Sequence, residues 1–132
     1  MDDDQNLFPV VLVVDDDRMQ VALITSFLQK AGFRVVSASS GLVALAALEA
    51  AGEASNEISL LVTDLDMPGM SGLAFAAEMR KKHPALKVLY VTARAAGLFQ
   101  QGHQLQHNEA FLEKPVSPQM LREAVNLLLR SA

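Results

Sequence analysis

Short apolar runs alternate with stretches whose apolar residues recur at helical spacing along most of this chain. Val10 to Val14 is an unbroken aliphatic run, the signature of a strand covered on both faces. Asp17 follows as a helix cap, with Gln20 three residues on as its capping-box partner. Val21, Ile24 and Leu28 form the apolar stripe of that helix, and Gly32 ends it. Phe33 to Ser37 predicts a second strand, and an Ala- and Leu-rich helix runs from about Gly41 to Ala51 before breaking near Gly52. Glu53 to Glu57 reads as polar loop. Ile58 to Thr63 predicts the third strand, and Pro68, Gly69 and Gly72 mark a turn into a helix from about Leu73 to Lys82, stopped by Pro84.

Leu86 to Val91 predicts a fourth strand. The stretch from about Ala95 to Gln106 carries a weaker helical pattern, rich in Gln and His and containing Gly97 and Gly102, and is expected to be the least rigid helix. Ala110 to Glu113 is a short fifth strand. Ser117 followed by Pro118 starts a last helix, whose buried face is Leu121, Val125, Leu128 and Leu129. Five strands alternating with five helices predict an α/β fold, a single doubly wound parallel sheet.

At 132 residues the chain has the length of one domain, expected over 8–132, with the acidic start 1–7 as a solvating tail. Hydrophobic residues make up 51% and aromatics only 5%, so the core is expected to be aliphatic. The apolar runs are too short to span a bilayer, and Asp2 to Asp4 stand where a signal peptide needs basic residues, so the expected location is the cytoplasm. Without cysteine there are no disulfides, thiol nucleophiles or thiolate zinc sites. A net charge of −4 with dispersed basic residues gives no reason to expect direct nucleic-acid binding. The densest basic group, Arg80 to Lys82, reads as a complement to a helix dipole.

Asp15, Asp16, Asp64, Thr92 and Lys114 each come just after a predicted strand, and in open α/β sheets ligands bind outside the carboxyl ends of the strands. Clustered acids repel, so something cationic must hold them together, and a hard divalent metal suits oxygen ligands. Singly, each residue has a plain reading: a solvated acid, a β-branched strand residue, a surface lysine. His83, His103 and His107 lack partners at metal-ligand spacing and read as surface residues.

Together these residues carry a resemblance. Val13-Val14-Asp15-Asp16, Asp64-Leu65-Asp66-Met67-Pro68-Gly69-Met70-Ser71-Gly72, Thr92-Ala93 and Lys114-Pro115 resemble, in order and spacing, the motifs of receiver domains of two-component response regulators. The resemblance runs from about Val10 to Leu129. It implies a flavodoxin-like strand order of 2-1-3-4-5 and a phosphorylation-dependent signalling switch. Asp64 would accept a phosphoryl group from the phosphohistidine of a sensor histidine kinase or histidine phosphotransfer protein, or from a small phosphodonor. Asp15, Asp16, Asp64 and the carbonyl of Asp66 would hold Mg²⁺, with Lys114 pairing Asp64 and Thr92 donating its hydroxyl to the phosphoryl group.

Phe111 matches the family's switch aromatic, although by itself it reads equally as a core ring. The resemblance also implies a cis Lys114–Pro115 bond, a downstream effector protein reached through the surface of the fourth helix, fifth strand and fifth helix, a dimer formed on phosphorylation as one option, and no turnover beyond the domain's own phosphotransfer and autodephosphorylation. His107-Asn108 departs from the Gly-Ala of many receivers. Asp66 and Arg94 occupy positions that tune dephosphorylation in the family. Rival readings are a haloacid-dehalogenase-like phosphatase, suggested by Asp64-Leu65-Asp66, a flavin module, which the acids after the first strand oppose, and a degenerate receiver that serves only as an interaction domain.

Overall fold

The computed structural model describes residues 10–52, 57–94, 96, 102 and 104–130. The expected acidic tail and most of the expected 95–106 helix lie outside the described residues. The elements are β1 (Val10–Val14), α1 (Arg18–Lys30), β2 (Arg34–Ala38), α2 (Gly41–Ala51), β3 (Ile58–Thr63), α3 (Gly72–Lys82), β4 (Lys87–Thr92), β5 (Glu109–Glu113) and α4 (Pro118–Arg130). The strands form one parallel sheet in the order β2-β1-β3-β4-β5.

Alternation along the strands builds a core on each face. Val11, Val13, Leu60, Val62, Leu89 and Val91 pack against Ile24 and Leu28 of α1 and Leu121, Val125 and Leu128 of α4. Val10, Leu12, Val14, Leu61, Val88 and Tyr90 meet Ala44 of α2 and Phe75, Ala76 and Met79 of α3 on the other face. Continuous apolar strands are the consequence of helices on both sides.

The helix signals are realised at their caps. The Asp17 carboxylate accepts from the Met19 and Gln20 amides at 3.0 and 3.4 Å. Ser40, Ser71 and Ser117 hydroxyls accept from Val43, Ala74 and Met120, each at 3.1 Å. Four helices of at least one full turn, rather than five, are present among the described residues. Residues 104–106 are not helical, and Gly102 has φ of 76°, a left-handed conformation that no continuing helix accepts.

Gly72 is required by close approach rather than by φ. A Cβ there would collide with the carbonyl oxygen of Asp64 and lie 3.1 Å from Leu65 Cα, because the first turn of α3 seats directly on the chain leaving β3. The Gly72 amide completes that seat, donating to the Leu65 carbonyl at 2.9 Å. Gly72→Ala is expected to cost about 1–3 kcal/mol, the range for forcing extra volume into a packed site. Urea unfolding measures it, and Ala74→Ser on the exposed side of the same turn is the neutral control.

Candidate functional site

From β1 the chain crosses to the edge strand β2 and returns on the other side to β3, so β1 and β3 are neighbours at the switch point of the sheet. The ladder continues one bond past each strand: the Asp64 amide donates to the Val14 carbonyl at 3.2 Å, and Asp15 to Ala38 at 3.3 Å. At the other side of the pocket the Lys114 amide donates to the Thr92 carbonyl at 2.8 Å. These bonds, together with α3 seated on the Asp64 backbone, fix where the side chains emerge.

Asp15, Asp16 and Asp64 each offer a carboxylate oxygen within 4.8 Å of the others. Asp15 and Asp64 are buried, at 2% and 8% exposure, while Asp16 opens to solvent. Lys114 Nζ lies 3.0 Å from Asp15 Oδ2 and 3.5 Å from Asp64 Oδ2. Sequence expectation paired Lys114 with Asp64. The ammonium instead bridges both acids and sits nearer the more deeply buried one, where the lower local dielectric strengthens the attraction. Thr92 is fully buried at the end of β4, and its hydroxyl oxygen accepts from the Arg94 amide at 3.2 Å. The Lys114–Pro115 peptide is cis, as expected.

Backbone amides orient the remaining lone pairs. Asp64 Oδ1 accepts from Leu65 at 2.7 Å and Asp66 at 3.4 Å, leaving Oδ2 toward the ammonium. Asp15 Oδ1 accepts from Asp17 at 2.9 Å. Burial pushes the Asp15 carboxyl above its ordinary pKa, with the Asp17 amide and Lys114 opposing. Burial pulls Lys114 down, but its bonds to and the charges of Asp15 and Asp64 outweigh that and raise it.

Three carboxylates face one ammonium, an excess of two negative charges if all are ionised. Oxygens spaced within 4.8 Å fit a common hard cation, whose oxygen ligands stand about 2.0–2.6 Å away. The donor set is therefore that of a divalent-metal site. The side chain of Asp66 stays out of the cluster: it is exposed and lies 3.4 Å from Arg94 Nε. Phe111 is partly buried on β5, against the core face that holds Tyr90.

Residues 11–126 match the model of the response regulator receiver domain. The chain belongs to that family. It is 33% identical over 120 residues to the sensor kinase CckA of Brucella abortus, covering 91% of this chain and 12% of that protein. Among solved structures, a response regulator receiver protein from Sinorhizobium medicae superposes with a TM-score of 0.80 at 28% identity, covering 94% of this chain and 96% of that one. The response regulator TrrA of Thermotoga maritima, solved with Mg²⁺ and BeF, has a TM-score of 0.71 at 29% identity and coverage of 92% and 99%. The chain spans 12% of the length of the CckA relative and 31% of a Thermotoga maritima cyclic di-GMP phosphodiesterase. Receiver domains are phosphorylation-dependent signalling switches rather than turnover enzymes, and the acidic cluster fits the phosphorylation site of such a switch. Among the described residues no helix is long and apolar enough to cross a membrane.

One part of this receiver escaped sequence reasoning. Arg80 is not merely a dipole complement: its Nη1 lies 2.6 Å from Glu109 Oε2, and the Tyr90 hydroxyl donates to the same oxygen at 3.2 Å. An acid at the start of a strand and a lone tyrosine in an aliphatic one were the available signals. Burial pushes the Tyr90 hydroxyl well above its ordinary pKa; the Glu109 charge adds to this and Arg80 opposes it. A folded-state pKa above the unfolded one means a contribution present below about pH 10 and lost as pH climbs through the folded value. Stability is thus expected to fall with pH above about 10. Tyr90 is the only tyrosine, so an ultraviolet titration reads it directly: tyrosinate should form late, together with unfolding.

Proposed function

We propose that Asp64 is the phosphoacceptor of a switch domain spanning residues 8–132, and that its donor is the phosphohistidine of a sensor histidine kinase or a histidine phosphotransfer protein. The observation that carries this reading is the convergence of Asp15, Asp16 and Asp64 with a lysine 99 residues from Asp15. An Asp64 carboxylate oxygen attacks phosphorus and a P–O bond forms while the P–N bond breaks with its electron pair going to the ring nitrogen, and the phosphohistidine ring, protonated on its other nitrogen, leaves as neutral imidazole. The Leu65 amide holds Oδ1 and so orients the carboxylate. Lys114 Nζ, already within 3.5 Å of Oδ2, offsets charge on the transferred group. Thr92 supplies a hydroxyl to a phosphoryl oxygen.

The carboxylates of Asp15, Asp16 and Asp64 and the carbonyl of Asp66 would hold Mg²⁺, which when bound supplies the charge neutralisation that phosphoryl transfer needs. Movement of the Thr92 hydroxyl toward the phosphoryl group then draws Phe111 inward, and the altered surface around β5 and α4 addresses an effector protein. The relatives' sensor kinase and phosphodiesterase names support a signalling chain with a kinase upstream and an effector downstream. The phosphatase alternative needs the Asp66 carboxyl as general acid at the reacting centre. That carboxyl is instead exposed and paired with Arg94, which disfavours it.

Intact mass after treatment with acetyl phosphate and Mg²⁺ tests the reading. Wild type should gain the mass of one phosphoryl group and Asp64→Asn none; no gain in folded wild type, or an equal gain in both, would overturn it. The exposed Asp66–Arg94 pair comes two residues after Asp64 and two after Thr92, and its role in this reading is to govern the approach of hydrolytic water. Replacing both residues with Ala is expected to change the lifetime of the aspartyl phosphate severalfold, and an unchanged decay rate would remove this role.

A further inference from the structure

Tyr90 is 1% exposed and sits on β4 with its hydroxyl against a carboxylate that solvent does not reach. The Glu109 side chain is 0% exposed, held at Oε2 by Arg80 and Tyr90 and at Oε1 by the Gln106 amide at 3.0 Å. Arg80 Nη2 also lies 3.5 Å from Asn108 Oδ1, and Asn108 Nδ2 donates to the Leu86 carbonyl at 3.2 Å. Helix α3, strand β4 and the start of β5 are therefore tied through one carboxylate. A hydroxyl in an apolar strand is costly unless it is bonded, and an aliphatic residue at position 90 would pack without that demand.

Its location next to the switch aromatic gives this tie a consequence. Tyr90 is the register partner of Phe111 in the β4–β5 ladder, and Glu109 stands two residues before Phe111, so all three side chains leave the same face of the sheet. Phe111 is only partly buried against the cluster that contains Tyr90. A core at ordinary packing density holds no spare ring-sized space beside Tyr90. Phe111 lies beside its register partner Tyr90, so a ring drawn inward as Thr92 moves presses on Tyr90 and strains the bond between the Tyr90 hydroxyl and Glu109.

We propose that Arg80, Glu109 and Tyr90 form a latch that favours the resting position of Phe111 and opens when the domain is phosphorylated. The inference rests on the switch reading above and adds its internal regulator. A bond made only in the resting state biases the equilibrium against the switched state, so its loss tightens the binding of any ligand that prefers the switched state by the same factor.

The experiment is a titration of wild type, Tyr90→Phe and Arg80→Met with beryllofluoride in excess Mg²⁺, followed by the amide chemical shifts of Thr92 and Lys114, with thermal unfolding measured in parallel. Tyr90→Phe removes only the hydroxyl and keeps the ring, and should bind beryllofluoride about tenfold more tightly, the scale of a hydrogen bond to a charged group. Arg80→Met should shift affinity in the same direction; if it fails to fold, Tyr90→Phe decides alone. Equal or weaker affinity in Tyr90→Phe overturns the latch, including the case in which only the unfolding temperature falls. Wild type that gives no response to beryllofluoride overturns the switch reading instead, so the two failures are distinguishable.

Discussion

Mutual repulsion among Asp15, Asp16 and Asp64 is the constraint on which this molecule is organised. Two such charges about 4 Å apart cost about 4 kcal/mol at an effective dielectric near 20, and two of these three acids are buried. The fold tolerates the cluster because Lys114 is brought from the far end of the chain to bridge Asp15 and Asp64, and because backbone amides donate to both. The excess negative charge that remains suits the site to a divalent cation.

Rigid elements hold that site, and the rigidity has local causes. Apolar alternation clamps the strands between two helical layers, so their carboxyl ends stay in register. Gly72 lets α3 seat on the backbone of Asp64, coupling the start of a helix to the position of that residue. Thr92 and Lys114 are joined by a backbone bond across the ends of β4 and β5, so a pull on one strand end is felt at the other.

Away from the acids, the same sheet carries a second polar assembly with a different logic. Arg80 and Tyr90 both meet the Glu109 carboxylate, whose side chain water does not reach, and breaking either bond there is costly. Asn108, in a position where many receivers have a small residue, meets Arg80 through its side-chain oxygen and ties to the Leu86 carbonyl through its side-chain nitrogen. The departure from the usual pattern thus lies beside this second assembly, while the acidic pocket keeps the family's residues.

Strands, caps and the acidic pocket were legible in the sequence because each is announced locally. Unbroken aliphatic runs mark doubly covered strands, Asp17 and Ser117 mark helix starts, and acids directly after strands mark the ligand-binding edge. What could not be read there depended on distances between segments remote in the chain. Lys114 bridges the deeper Asp15 as well as Asp64, Gly102 takes a left-handed turn inside an expected helix, and Arg80 turns to meet Glu109. Residue type and spacing state which groups are available. Only packing in three dimensions sets the burial that decides which charges pair.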